Sequence, residues 1–308
     1  MTPIAVAIVN YNTRDDLRTC LASVQHEGPS EVVVVDNASS DGSVAMVRDE
    51  YPWVICHANQ TNLGYGAAAN QAIGSCTAEY VLLLNSDTLL RPGVLEALST
   101  YLDHHPRAGI VGPRLVNPDG TLQASCYPFP SPLDKLLDKS TLSRLIRFVP
   151  VLRNQYLRTW LHASDRVVPW VKAAALAIRR DAFELAGGFD TSYFMYFEEV
   201  DLCYRLFRAG WQTHFSPLAT VVHVGGASTR QKRIAMMLQF LASEVQFYKR
   251  HYSPVSLLQF KIVVGAVTVA HVVIDTIRLH QVRNSLQKAR LAEDLLIWHS
   301  TLSSLCRP

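Results

Sequence analysis

The sequence is short of several things, and each shortage narrows the reading. Charge of one sign is scarce: 29 Lys and Arg against 26 Asp and Glu leave a net charge of +3 over 308 residues. That balance argues against general nucleic-acid binding and leaves room only for local basic patches. The six cysteines, Cys20, Cys56, Cys76, Cys126, Cys203 and Cys306, form no CxxC pair. A zinc site is therefore disfavoured, and they read as reduced thiols of a cytosolic protein. There is no GxGxxG, which disfavours a nicotinamide or flavin cofactor. The apolar run at 4–9 is too short for a signal peptide and lacks its basic flank, so it reads as a first strand. Hydrophobic residues, almost half of the total, are plentiful enough to bury a large core. The length suits one large α/β domain with an appendage, or two domains.

What is present is organised around Tyr80-Val81-Leu82-Leu83-Leu84-Asn85-Ser86-Asp87-Thr88. An apolar run without alternation suits a strand buried on both faces, as in a parallel sheet covered by helices. Ligands of such sheets bind just beyond the carboxyl ends of the strands. Asp87 stands there, where a carboxylate can hold a hard cation and the cation a diphosphate. The competing reading is a solvated turn with Asp87 as a helix cap. Residues 4–9 end in the polar loop Asn10-Tyr11-Asn12-Thr13, and Thr13 reads as the cap of a helix carrying Leu17, Leu21 and Val24. Residues 31–35 form a second strand that ends in Asp36-Asn37-Ala38-Ser39-Ser40-Asp41-Gly42-Ser43. Two polar strand ends side by side are the usual place for a nucleotide. Asp36 reads equally as an acceptor for a base or ribose and as the cap of a helix starting near Ser43.

A short third strand at 54–57 precedes Asn62-Leu63-Gly64-Tyr65-Gly66-Ala67-Ala68-Ala69-Asn70-Gln71. Gly64 and Gly66 permit a close backbone approach to a ligand, and a helix N-terminus there attracts phosphate. Tight helix packing through alanines is the alternative. Pro92 suits the first turn of a helix over 93–104, and 109–113 reads as a short strand. Asn117-Pro118-Asp119-Gly120 predicts a tight turn in a hairpin. Residues 125–166 lack a strand pattern and contain Pro128, Pro130 and Pro132; they read as a long excursion with one or two helices over the open side of the site. Apolar character returns over 167–178, and a short helix follows, ended by Gly187-Gly188. In YFMYFEEVDLCYRLFRAGW (193–211), Glu198, Glu199 and Asp201 gather at a helix start. The helix dipole favours acids there, and Arg205 can pair with one of them. Three carboxylates beside Tyr196 and Phe197 exceed what capping requires, and a partly desolvated one keeps a raised pKa and can take a proton. A strand over 220–224 carries His223 at its end.

The remainder changes character. Residues 228–233 are basic, 234–248 have helical spacing, and Pro254 breaks the pattern. Residues 257–277 are strongly apolar, but Lys261 and Asp275 bracket a core shorter than the roughly 20 residues that span a bilayer. A helix in the membrane interface is expected, with Arg278, Arg283, Lys288 and Arg290 near anionic headgroups. A soluble helical hairpin covering the sheet is the alternative.

Together these segments resemble glycosyltransferase family 2, inverting enzymes of the GT-A fold, and within it the rhamnosyltransferase-like branch of bacterial cell-surface polysaccharide synthesis. The resemblance covers residues 4–226 and is carried by IVNYNT, VVVDNASSDGS, NLGYGAAAN, LLLNSDT, GGFD, YFEEVDLCYRLFRAGW and His223. It implies an α/β fold with a Rossmann-like mixed sheet flanked by helices, as a GT-A domain over 1–228 and a C-terminal helical extension over 229–308. By the same resemblance Asn10, Tyr11, Asn12, Asp36 and Asn37 line a base pocket, and Asn62 and Gly64 lie near the ribose and diphosphate. Asn85-Ser86-Asp87 occupies the place of the family's DxD element, with Asp87 and His223 on a divalent metal, Mn2+ or Mg2+. Glu199 matches the catalytic base, more often an aspartate in the family, with Glu198 and Asp201 lining the substrate site. The implied donor is a dTDP- or UDP-sugar, with dTDP-rhamnose first. The implied acceptor is a saccharide, free or on a polyprenyl diphosphate, at the cytoplasmic face of the membrane. Two other classes stay open on residues alone: a nucleotidyltransferase, lowered by the lack of a basic N-terminal phosphate loop, and an inactive glycan-binding scaffold.

Overall fold

The structure, a computed structural model, describes residues 2–132, 160, 162–225, 233–282 and 284–305. Residues 1–129 and 154–230 form one compact unit, and 130–153 with 231–308 form a second.

The first unit is built on β1 (Ile4–Asn10), β2 (Val32–Asp36), β3 (Ile55–Ala58), β4 (Tyr80–Asn85), β5 (Thr88–Leu90), β6 (Ala108–Val116), β7 (Leu122–Gln123), β8 (Cys126–Tyr127), β9 (Arg166–Val168), β10 (Trp170–Val171), β11 (Ala175–Arg179) and β12 (Gln212–His223). Its helices are α1 (Arg14–Glu27), α2 (Ser43–Glu50), α3 (Tyr65–Gly74), α4 (Val94–His104), α5 (Arg180–Leu185) and α6 (Glu198–Arg208). The main sheet runs β3-β2-β1-β4-β11-β6-β12-β5. β1, β2, β3 and β4 are parallel neighbours, whereas β11 runs antiparallel to both β4 and β6. The sheet is mixed, as expected.

The absence of alternation in the strands has a direct cause. In β1, Ile4, Val6 and Ile8 belong to one core with Leu17 and Leu21 of α1 and Leu98 of α4. Ala5, Ala7 and Val9 belong to another with Ala68, Ala69 and Ala72 of α3. Both faces are covered, so both must be apolar. The alanines let α3 approach the sheet closely.

Several elements differ from expectation. β12 begins at Gln212 rather than at 220, and its early part pairs with β6 and β9. Its mixed sequence hid it, because Ser216 and His214 are buried polar residues inside a strand. Thr13 precedes α1 but does not cap it with its side chain; Asp41 accepts from the Arg14 N–H at 2.8 Å instead. Asp41, not Asp36, also accepts from the N–H and hydroxyl of Ser43 at the start of α2. Of the expected excursion over 125–166, β8 pairs with β10, while 133–159 lie outside the described residues.

Asp201 is corrected as a substrate-site residue. It is fully buried and pairs with Arg205 Nε at 2.6 Å, one turn along α6. Arg205 in turn donates to the carbonyls of Ala186 and Gly188. The pair clamps the glycine turn onto α6 and so works on the fold.

The second unit contains α7 (Arg233–His251), α8 (Pro254–Gln281) and α9 (Ser285–Leu305). Pro254 opens α8 rather than merely ending α7, because its fixed φ suits a first helical position and Ser253 Oγ accepts from the Ser256 N–H. Leu241, Tyr248, Phe260 and Leu305 form the core of this unit. The apolar segment is longer than the charges suggested. α8 runs unbroken through Lys261 and Asp275 for 28 residues, long and apolar enough to cross a membrane. Asp275 lies within the helix, and its carboxylate accepts from Trp298 Nε1 of α9 at 3.0 Å. Residues 226–232, with most of the expected basic segment, and Arg283 with the side chain of Arg290 lie outside the described residues.

Removing Arg205 strands a buried carboxylate. Arg205→Met should cost about 3–5 kcal/mol in urea unfolding, and the double variant with Asp201→Asn should cost less. A loss under about 1 kcal/mol, the size of an exposed pair, would refute the clamp.

Candidate active site

Asp87 leaves β4 in a turn, and β5 then pairs antiparallel with β12, setting Thr88 opposite His223. That register brings the two expected cation ligands together: His223 Nε2 lies 3.4 Å from Asp87 Oδ1. The Val224 N–H donates to the Asp87 carbonyl at 3.0 Å and the Gly225 N–H to its Oδ2 at 3.1 Å. Burial pushes the Asp87 carboxyl upward, but the His223 ring and the Gly225 N–H outweigh it and hold the group below its usual range. Asp87 is therefore ionised although nearly enclosed.

Asn85 is half-buried, and its Oδ1 is buried with no hydrogen-bond partner. Ser86 Oγ shares a 2.7 Å hydrogen bond with Thr13 Oγ1, which donates to Asn10 Oδ1. Thr13 thus wires the end of β1 to the Asn-Ser-Asp turn. Among the described residues no group of three His, Cys, Asp or Glu side chains forms a metal cage. An oxygen and a nitrogen donor with an orphaned amide oxygen nearby still suit Mn2+ or Mg2+, which take few protein ligands and fill the rest from phosphate and water.

The expected base pocket divides into two classes of residue. Asn10, Asp36 and Asn37 are 0%, 1% and 3% exposed. Asn10 Nδ2 donates to Asp36 Oδ2 at 2.7 Å, and Asp36 Oδ1 accepts from the Ser39 N–H at 2.8 Å. Asn37 donates to Asn62 Oδ1 and the Gly64 carbonyl and accepts from the Leu63 N–H. These three side chains hold three loops together at the place expected for the base pocket. Tyr11 is half-buried and Asn12 exposed, and Asn12 Oδ1 accepts from the Ser40 N–H at 2.8 Å. At Gly64 the φ of +86° and the close approach of the Phe194 backbone both require glycine.

Glu198 and Glu199 open α6 after Tyr196 and Phe197, whose φ values are +67° and +70°. Two bulky residues in the left-handed region store strain of the kind found at functional sites. Glu198 is buried, and burial together with the neighbouring Glu199 charge holds its carboxyl far above the ordinary range. Glu199 is half-buried, and burial raises it as well, with Lys172 pulling it back. Glu198 Oε2 and Glu199 Oε2 are buried without a hydrogen-bond partner.

Lys172 was not singled out by sequence reasoning, although it is a lone charge inside an apolar run. Burial lowers its pKa, while Glu199 and Asp87 both pull it up. Tyr65, whose hydroxyl donates to the Ala173 carbonyl at 3.1 Å, is held far above its usual range by burial and by Glu198, Glu199 and Asp87. One cation and one phenol thus feel both the cation-ligand side and the carboxylate-pair side.

Residues 5–155 match the family description "Glycosyl transferase family 2". The chain is 35% identical over 243 residues to the N-acetylglucosaminyl-diphospho-decaprenol L-rhamnosyltransferase of Mycobacterium tuberculosis, an alignment covering 73% of this chain and 77% of that one. Among solved structures, the mannosyltransferase PcManGT from Pyrobaculum calidifontis, in complex with GDP-Man and Mn2+, superposes with a TM-score of 0.57 at 17% identity, covering 98% of this chain and 87% of that one. TarS 1-349 of S. aureus does so at 0.51 and 16% identity, covering 98% and 90%. These two likenesses establish the GT-A fold. With that fold, and with more than two thirds of a rhamnosyltransferase matched, the chain belongs to glycosyltransferase family 2.

Proposed function

We propose that this glycosyltransferase moves a deoxyhexose, rhamnose first, from a dTDP- or UDP-sugar to a saccharide carried on a polyprenyl diphosphate. The sugar and acceptor follow the activity for which the mycobacterial relative is named. The observation that carries the reaction is that the charges of Glu198, Glu199 and Asp87 all bear on Tyr65, and those of Glu199 and Asp87 on Lys172.

The roles follow from the environments. Asp87 and His223 would hold a divalent cation, Mn2+ or Mg2+, which when bound supplies charge neutralisation for the leaving diphosphate. Tyr11 and Asn12 face the nucleotide, and Lys172 offers a second positive charge to the diphosphate. Glu199, more exposed than Glu198, takes the proton from the acceptor hydroxyl as that oxygen attacks the anomeric carbon. The bond from that carbon to the diphosphate oxygen breaks on the opposite face, so the configuration inverts. Glu198, kept protonated, adds no competing charge. One proton acceptor and no covalent intermediate suffice.

Membrane contact belongs to the same reading. On α8, Val255, Leu258, Ile262, Val269, Val273 and Ile277 are each at least half exposed and recur every three, four or seven residues. Such a stripe suits a helix lying in the interface at the cytoplasmic face, where a polyprenyl-linked acceptor is presented.

Three outcomes test this. Glu199→Gln should lower kcat about 10²–10⁴-fold while donor binding is kept; full activity with the true donor and acceptor would remove the base. In thermal melts, dTDP- or UDP-sugars with Mn2+ or Mg2+ should raise Tm and NAD should not. For Glu198, a raised folded pKa means its contribution is complete below the unfolded carboxylate range near about 4.3 and is lost as pH rises through the folded value. Glu198→Gln lacks that loss. Its Tm should gain on the wild type between about pH 5 and about pH 8, and parallel curves would show that Glu198 is ionised.

A further inference from the structure

The Asn-Pro-Asp-Gly turn, read in the sequence only as a hairpin tip, joins β6 to β7 and ends beside His223. Gln123 Oε1 lies 2.6 Å from His223 Nδ1. Gln123 Nε2 lies 2.9 Å from Asn117 Oδ1, and Asn117 Nδ2 lies 2.9 Å from Thr121 Oγ1. Thr121 Oγ1 lies 2.6 Å from Asp119 Oδ1.

The direction of this chain is set at its outer end. An ionised carboxylate only accepts, and the Thr121 hydroxyl has one proton to give. Thr121 holds Asp119 below the usual carboxylate range, so Asp119 is ionised. The Thr121 proton therefore goes to Asp119, and Thr121 must accept from Asn117. Only the amide nitrogen of Asn117 can donate, so its oxygen faces Gln123. Gln123 must then present its nitrogen to Asn117 and its oxygen to the ring. The 3.3 Å contact from Gln123 Nε2 to the His223 carbonyl agrees with that orientation. His223 Nδ1 is left as the donor, and Nε2 is the nitrogen beside Asp87.

We infer that Asp119, Thr121, Asn117 and Gln123 form a one-way hydrogen-bond relay that keeps a proton on His223 Nδ1, so that Nε2, the nitrogen paired with Asp87, is the one that gives up its proton and offers its lone pair when a cation binds. The inference rests on the cation reading of Asp87 and His223 given above. These are positioning residues: none touches the substrate, and all act through the ring. A partner on the second ring nitrogen commonly fixes a ligand histidine, and its loss typically costs 10–100-fold in metal affinity. Here the partner is a neutral amide, and its orientation is imposed from the solvent-exposed end of a hairpin.

The test has two readouts. Two-bond 1H–15N correlation spectra of the 15N-histidine-labelled full chain, assigned with His223→Ala and recorded at about pH 8.5, above the usual imidazole range, report which ring nitrogen carries the proton. Free Mn2+ measured by EPR reports cation affinity without donor or turnover. In the wild type Nδ1 should be protonated. Gln123→Met should move the proton toward Nε2 and weaken Mn2+ binding about 10–100-fold. Gln123→Glu, which keeps an acceptor, should retain Nδ1 protonation and bind Mn2+ at least as well. Thr121→Val, at an exposed turn where misfolding is not expected, should loosen the amide orientations and mix the tautomers. A wild-type ring unprotonated at Nδ1, or Gln123→Met and Thr121→Val variants with wild-type spectra and Mn2+ affinity, would overturn the relay. Wild-type protein with Nδ1 protonated but no Mn2+ binding would instead remove the cation reading, while the variants' spectra still decide the relay.

Discussion

One backbone hydrogen bond, from the Val224 N–H to the Asp87 carbonyl, closes the ladder on which the chemistry depends. The residues it joins are far apart in the sequence, and only the pairing of β5 with β12 makes them neighbours. In an antiparallel ladder a slip of one residue sends every side chain to the other face. His223 would then turn away from Asp87. The register is held by Leu90 and Val221, which lie in the same apolar core as Ile8 and Leu84. The juxtaposition of Asp87 and His223 is thus a consequence of apolar packing a few residues away.

The loops around this point obey a different constraint. Strand ends leave backbone groups without ladder partners, and buried ones must find others. Short amide and carboxylate side chains serve as surrogates for backbone. Asn37 bridges the loop after β2 to the loop before α3, and Asn70 both donates to and accepts from the Phe189 backbone. With these bonds made in the free protein, the cradle is largely formed before a donor arrives, and less ordering entropy opposes binding.

How much of this was legible follows from the same distinction. Doubly covered strands announce themselves as unbroken apolar runs, so β1, β2 and β4 could be read directly, as could the polar residues at their ends. What could not be read was which of those polar residues face a ligand and which face one another. Asn10 and Tyr11 are neighbours in one motif, yet Asn10 is fully buried against Asp36 and Tyr11 keeps partial exposure, because that depends on loop contacts across 26 residues. Asp201 looked like Glu199 for the same reason; only the clamp on Gly188 separates them. Lys172 and Gln123 carry no motif. A lone lysine within an apolar stretch was a usable signal, whereas a glutamine two residues past a turn was none. β12 was cut short because its buried His214 and Ser216 interrupt the apolar pattern.

The carboxylate pair brings these strands together in one electrostatic argument. Two adjacent acids in a desolvated pocket do not both ionise at ordinary pH, since each charge raises the other's cost. Burial differs between them: Glu198 is enclosed against Gly66 and Phe189 packing, whereas Glu199 keeps partial exposure and feels Lys172. The ionised member is therefore the one with access to a substrate. With Asp87 also ionised, two carboxylates are set against the one Lys172 ammonium, and the balance is negative. A diphosphate alone would meet net repulsion there, and a divalent cation alone would meet attraction. On the proposed reading, donor affinity is therefore conditional on the cation.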